Sequence, residues 1–305
     1  MRVVVSQLAN TSQKTPATVK NNVAEINTVP ATANMAIFAT YKTNEEAIED
    51  VCYYIINNLS DIIQLPELFF IGDKAVTNNS QQLVQIEKLC KQLILQISAE
   101  LRPFQYVCTS LVIEGNHQAV LISEHGLVAT QQQLNVCQRY QWTKLGNELN
   151  IIELSLEQGT INVAMLTSDD AKLPEIVDLA ATNNIHLLLV PFDIQAPCEV
   201  ENNLLACAEK HRICVAAASR EKSFTSDIAS DLDLHSNKPS DDSANQNTNN
   251  QNKNKKKIKP QKSTGFIADL SSHSPQLIVK HQHGKITKAL VHPIEACLNR
   301  GAFWR

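Results

Sequence analysis

Glu67 is the first residue in this sequence placed where chemistry is done. It directly follows Pro66 at the end of an apolar run, in the phrase IIQLPELFFIGD from Ile62 to Asp73. A carboxylate at the carboxyl end of a buried strand stands where open α/β sheets bind their ligands. The plainer alternative is a strand-end glutamate that caps a helix or pairs with a lysine. A second candidate follows the apolar run INVAML, where Ser168 precedes the acid pair Asp169-Asp170. That pair reads either as a metal or acid site or as a source of local hydrogen-bond acceptors. A third is Gln131-Gln132-Gln133, amides that donate hydrogen bonds but carry no charge. His281 and His283 alternate on one strand face, yet no third ligand is visible, so a surface strand is the better reading. Asp227, Asp231 and Asp233 lack the spacing of a calcium loop. No Gly-rich phosphate loop is present.

Bulk properties exclude several classes. The 305 residues carry a formal charge of −4, with 43% hydrophobic and 19% charged residues. That is ordinary for a globular chain and gives no reason to expect nucleic acid as a partner. No apolar run approaches the roughly 18 residues needed to span a bilayer. The first residues, MRVVVSQLANTSQKTP, hold too short an apolar run for a secretory signal, so the expected location is the cytoplasm. Eight cysteines are present and none has CxxC spacing, which argues against zinc and for small buried side chains without disulfides.

The elements that must position these residues alternate between strand and helix, which makes the chain α/β. Strands are expected at Met35–Thr40, Asp61–Leu65, Gln105–Val112, Gln118–Ser123, Asn150–Leu154, Thr160–Thr167, Ile185–Val190, Ile213–Ala218, Gly265–Leu270 and Gln276–His281. Helices are expected at Glu45–Leu59, Ser80–Glu100, Pro174–Asn183 and Asn202–His211, where apolar residues recur at helical spacing. Thr225–Ser263 is low in complexity, first Ser/Asp-rich and then Asn/Lys-rich, and reads as a disordered surface insertion. MRVVVSQLA resembles a strand, and Ala17–Val29 could form a short helix.

Taken together, four blocks resemble the nitrilase superfamily, the carbon–nitrogen hydrolase fold. The strand running into Pro66-Glu67 and aromatics is similar to that family's first motif, and the resemblance makes Glu67 the general base. Cys108–Leu134 resembles the paired strands that lead to a catalytic lysine, but here Gln133 or Leu134 stands in its place. Lys144 is too far along to take the role. Ile161–Ile194 resembles the nucleophile elbow, with Asp170, Pro174, Glu175, Val190 and Pro191 on pattern positions. The nucleophile position in that frame is Ser168, where the family has cysteine. Glu201–Arg220 and Thr264–Lys280 resemble the later helix, strand and hairpin.

The likeness covers Met35 to Val291 apart from the insertion. From Ala36 to Glu67 is 31 residues, the natural length of one strand–helix–strand unit, whereas Val4 would make it 63. Residues 1–34 are therefore an amino-terminal extension and 35–305 the hydrolase-like domain, with the insertion at 225–263. The resemblance implies a four-layer α-β-β-α sandwich, no cofactor and no metal. It also implies a homodimer through Pro174–Asn183 and Asn202–His211; the carboxyl-terminal stretch Ala289–Arg305, with Phe303 and Trp304, is apolar enough to cross onto the partner. The site in this frame is Glu67, Ser168 and Gln133, with Gln132, Asp169, Asp170 and Phe192 lining the pocket. A serine hydroxyl is a poor replacement for a thiol beside a lone glutamate, and a glutamine supplies no cation to an oxyanion. The function expected is a silent domain that binds a small amide or carboxylate, or serves as an interaction module. The alternative is a divergent amidase acting on non-peptide carbon–nitrogen bonds with Glu67 as base. A cysteine from elsewhere, Cys137 or Cys198, would favour the alternative if its sulfur lay beside Glu67.

Overall fold

The computed structural model describes residues 2–7, 32–38, 45–71, 76, 79–137, 139–195, 199, 204–224, 261–270, 276–279 and 286–298. Two mixed sheets organise them. The six-stranded sheet has the spatial order β13 (Ile286–Val291), β2 (Ala33–Phe38), β3 (Ile62–Glu67), β4 (Tyr106–Ile113), β5 (Asn116–Ser123), β6 (Gly126–Gln132). Its β2, β3 and β4 are parallel, and the flanking strands join antiparallel. The seven-stranded sheet has the order β1 (Arg2–Gln7), β7 (Glu148–Leu156), β8 (Gly159–Met165), β9 (Leu187–Pro191), β10 (Cys214–Phe224), β11 (Gln261–Asp269), β12 (Gln276–Val279). Here β8, β9 and β10 are parallel, so three neighbouring strands end on the same side.

Alternation along the six-stranded sheet shows how it is covered. In β5, Ala119 and Leu121 join the core shared with the other sheet, while Val120 and Ile122 join the core under the helices. Tyr106 and Cys108 of β4 face the first core and Val107 the second. Period-two burial on both faces is what a sheet between two apolar layers requires. The helix layer is α1 (Glu45–Ile56) and α2 (Ser80–Glu100), which contribute Val51, Ile55, Cys90, Leu93 and Ile97. Asn79 starts α2 by accepting hydrogen bonds from the Gln81 and Gln82 amides, which satisfies two of the free donors of its first turn. On the other side, α3 (Pro174–Thr182) and α4 (Ala206–His211) add Val177, Ala180 and Ala208 to the core of the seven-stranded sheet. Pro174 sits at the start of α3, where its missing N–H costs nothing. A last helix, α5 (Pro293–Leu298), follows β13.

Polar side chains stitch the two sheets along one edge. Gln131 of β6 donates to the Glu148 carbonyl (3.0 Å) and accepts from the Asn150 amide (2.8 Å), and Asn150 donates to the Thr130 carbonyl (2.9 Å). Gln131 is buried, so these bonds are sheltered from water.

Several expectations change. The glutamine stretch continues the strand through Gln132, because its backbone pairs with β5. The segment Ala289–Val291 pairs with β2 of its own chain, so it is not free to cross to a partner; Phe303 and Trp304 lie outside the described residues. Gln261–Ser263 belong to β11, paired with Lys222–Phe224, so the insertion ends before them; the expectation for 225–260 lies outside the described residues, as do Ala17–Val29, Cys198 and His281–His283. Arg2–Gln7 form a strand, paired parallel to β7. Among the described residues no helix is long and apolar enough to cross a membrane.

Candidate active site

Glu67 is the last residue of β3 and is 1% exposed. The backbone turns sharply after it: Leu68 has φ +42, in the left-handed region that a leucine adopts only under constraint. Its amide donates to Ser110 Oγ (3.1 Å), and its side chain is buried, which together hold the turn. The Glu67 amide donates to the Phe192 carbonyl (3.3 Å), so the end of β3 in one sheet touches the segment after β9 in the other.

Ser168 lies three residues beyond β8 and is fully buried. Its Oγ accepts from the Asp193 amide (3.0 Å) and faces the Asp193 carbonyl at 3.4 Å. Glu67 and Ser168 thus converge on the same Phe192-Asp193 segment, but the serine hydroxyl is spent on backbone. Asp170 works as a peg. Its carboxylate accepts from the Leu134 amide (2.8 Å), the Asn135 amide (3.0 Å) and Thr167 Oγ1 (2.8 Å), tying the loop after β6 to the turn after β8. Burial nevertheless pushes its carboxyl above the usual range.

The same loop carries the group that dominates the site. Arg139 Nη1 lies 2.9 Å from Glu67 Oε1 and 2.8 Å from Asp193 Oδ2, and Nη2 lies 3.3 Å from Glu67 Oε2 and 2.8 Å from Asp169 Oδ2. The expectation that no cation faces this site is therefore corrected: an arginine from the loop brings a positive charge against Glu67. Burial works against the guanidinium charge, but Glu67, Tyr140, Asp169 and Asp193 outweigh it and keep the group protonated. Tyr140 adds a hydrogen bond from its hydroxyl to Glu67 Oε1. Both carboxylate oxygens of Glu67 are thus engaged.

Burial raises the Glu67 carboxyl to about 7, because desolvation and repulsion by Asp193 and Asp169 overcome Arg139 and the Tyr140 bond. Asp169 is less buried; desolvation opposes its charge, but Arg139, Cys137 and Lys172 hold its carboxyl below the usual range. Lys172 lies 3.5 Å from Asp169 Oδ1 and 3.3 Å from Glu199 Oε1, over the Phe192 ring. Three carboxylates, Glu67, Asp169 and Asp193, therefore surround one guanidinium.

Gln133 is buried, and its Nε2 donates to the Asn135 carbonyl (2.6 Å) rather than to Glu67. His117 is fully buried, 3.0 Å from Ser110 Oγ, and burial with the nearby Arg139 charge lowers it to about 4, so the ring is neutral. Gln132 points elsewhere and lines a separate polar cavity of about 420 Å³ with Glu114, Gln118, Thr130, Asn147, Glu148 and Asn150. Cys137 does enter the site. Its thiol donates to Asp169 Oδ2, and its Sγ accepts from the Arg139 amide at 3.2 Å; burial and the Asp169 charge raise the thiol. Among the described residues no three His, Cys, Asp or Glu side chains are grouped to hold a metal.

Sequence reasoning missed Arg139, Tyr140, Asp193 and His117 as members of the site. One signal was readable: Arg139 is the only lysine or arginine between Arg102 and Lys144, directly after the glutamine stretch. A search for lysine alone passes over it.

No family model and no curated protein matches the chain. Solved structures do. An amidase from Nesterenkonia sp. aligns with TM-score 0.52 and 21% identity, covering 62% of this chain and 76% of that one. A cysteine-to-serine mutant of the Nesterenkonia AN1 amidase, of the nitrilase superfamily, aligns with TM-score 0.53 and 22% identity over 62% and 77%. A cysteine-to-alanine mutant in complex with butyramide aligns with TM-score 0.52 and 21% identity over 62% and 76%. With two mixed sheets, outer helices and a glutamate at the end of a central strand, this chain has the nitrilase-superfamily fold.

Proposed function

We propose that this chain is a nitrilase-fold domain that binds a small amide and does not hydrolyse it. The observation that carries this reading is the state of Glu67. Both its oxygens accept hydrogen bonds from Arg139, and one also from Tyr140, while the Ser168 hydroxyl is bonded to the Asp193 backbone. A base whose lone pairs are occupied, facing an alcohol that is itself engaged, lacks the geometry to start acyl transfer. Three carboxylates around one arginine disfavour a carboxylate ligand and favour a neutral amide, whose N–H groups can meet them. The butyramide complex of the Nesterenkonia relative gives the ligand class a precedent.

Ammonia release from acetamide, butyramide and acrylamide, measured beside thermal shift with the same amides, tests the proposal. Saturable stabilisation without ammonia is the expected result. Turnover that Ser168→Ala or Glu67→Gln abolishes would replace it with the divergent amidase.

A second reading rests on Cys137, whose thiol is held by Asp169 beside Arg139. In that reading Asp169 accepts the thiol proton as the Cys137 sulfur bonds to the amide carbon, returns it to the nitrogen as the C–N bond breaks and ammonia leaves, and water then hydrolyses the thioester to the free acid. Turnover lost in Cys137→Ala but kept in Ser168→Ala would favour it. Assembly as a homodimer through the face of α3 and α4, in the cytoplasm, belongs to the same proposal. Size-exclusion chromatography with light scattering at micromolar concentration tests the dimer.

A further inference from the structure

Arg139 makes its contacts in the way a bound ligand would. Its two terminal nitrogens meet four carboxylate oxygens from three separate elements: the end of β3, the turn after β8 and the segment after β9. None of these carboxylates belongs to the loop that carries the arginine. The cradle is therefore built by the scaffold, and the guanidinium is delivered into it from outside. One donor is left over. Arg139 Nε is buried and has no hydrogen-bond partner among the described residues. In a free guanidinium the corresponding nitrogen is an NH2 with two in-plane donors, and the untethered ion can shift as a whole to bring them to an acceptor. The arginine thus matches the cradle with two of its three nitrogens only.

We propose that the Glu67–Asp169–Asp193 cradle is a recognition site for guanidinium and amidinium groups, occupied in this chain by its own Arg139. The inference rests on the reading above that this centre binds a small ligand without hydrolysing it, and adds planar cations to the neutral amides as a second class of ligand head. The argument is chemical. Planar forks that carry two parallel N–H groups pair bidentately with carboxylates, and an ammonium does not reproduce that geometry. With Glu67 ionised, the three carboxylates leave a net negative cradle once the arginine is removed. A neutral amide offers one NH2 and no charge, so it satisfies fewer of these oxygens. Arg139 is a quarter exposed and Asp169 nearly so, which puts the opening of the site on this side. Access requires the segment around Arg139 to lift, while the Asp170 peg holds its base at Leu134 and Asn135.

Replacement of the arginine tests the idea directly. Arg139→Ala and Arg139→Gln are each titrated with methylguanidinium, acetamidinium, methylammonium and acetamide at constant ionic strength, with melting temperature as the readout. The expected result is recovery of several degrees by the two planar cations at millimolar concentration, following the usual ligand-linked stabilisation, a smaller recovery by neutral acetamide and little by methylammonium. Wild type should respond about tenfold more weakly, since its own side chain competes. Adding Asp193→Asn to Arg139→Gln should abolish the recovery. Equal recovery by methylammonium would reduce the effect to charge and overturn the proposal, as would no recovery in either variant or an equal response in wild type. Guanidinium salts destabilise proteins non-specifically, so a rise in melting temperature cannot come from that action. Hydrolysis is not read in this experiment, so its failure and the failure of the silent-site reading remain separate.

Discussion

The rings of His117 and Tyr140 lie 4.3 Å apart with their planes inclined by 36°. His117 is held neutral and Tyr140 donates to Glu67, so a neutral base and a buried acid are joined through one phenol. Their proton equilibria act on stability in opposite directions.

Glu67 rises from 4.5 to about 7 on folding, so its contribution is full below pH 4.5 and is lost as pH rises through 7. His117 falls from 6.5 to about 4, so its contribution is full above pH 6.5 and is lost as pH falls through 4. Each spans about 3 kcal/mol by the usual linkage, and the windows overlap. Wild-type stability should therefore be nearly flat between pH 5 and 6.5 as far as these two groups are concerned. Glu67→Gln should expose a rise with pH, and His117→Gln a fall. Urea denaturation across that range measures all three; parallel profiles would rule this out.

Asp170→Ala should cost about 2–4 kcal/mol, because it strands two amides and a hydroxyl that are now satisfied by one buried carboxylate. Hydrogen exchange should quicken at Leu134, Asn135 and Arg139 well before the sheets are affected. Uniform exchange over the whole molecule would mean that the peg serves global stability and does not fix the loop.

Ser168→Ala should cost about 1–2 kcal/mol by leaving the Asp193 amide without its acceptor. Ser168→Cys should remain inactive toward butyramide, since Glu67 stays bonded to Arg139 and Tyr140. Measurable turnover by Ser168→Cys alone would show that the arginine leaves Glu67 free to act.

Phe224 and Gln261 face each other across the β10–β11 pair. Residues 225–260 should therefore be replaceable by an Asn-Gly turn, which suits a two-residue hairpin connection. The melting temperature of that deletion should stay within about 4 °C of wild type, the shift expected from a change of roughly 1 kcal/mol or less in a chain of this size. A larger fall would assign the segment a packing role.

The fold was largely legible because its signals are local and repetitive. Leu83, Ile86, Leu93 and Ile97 mark α2 at helical spacing, and the apolar runs before Pro66 and Ser168 mark buried strands. The charged centre was less legible. Glu67, Asp169 and Ser168 could be found because each follows a strand, where position along the chain predicts position in space. Arg139 could not be placed, because it belongs to a loop fixed by the distant carboxylate of Asp170. Gln132 and Gln133 are adjacent in sequence yet diverge, one into a separate cavity and the other onto the Asn135 carbonyl of its own loop, as neighbours leaving a strand do.

Leu68 gives the polar centre a dependence on oil. A leucine at φ +42 is strained by about 1–3 kcal/mol, and what holds it there is burial of its side chain in the core under α1 and α2. That core also contains Phe69, Phe70, Cys137 and Tyr140. The direction in which Glu67 points is thus set from behind by the shape of a hydrophobic mould. Conservative changes in that mould, which touch no charge, should retune the acid as surely as changes to its ionic partners.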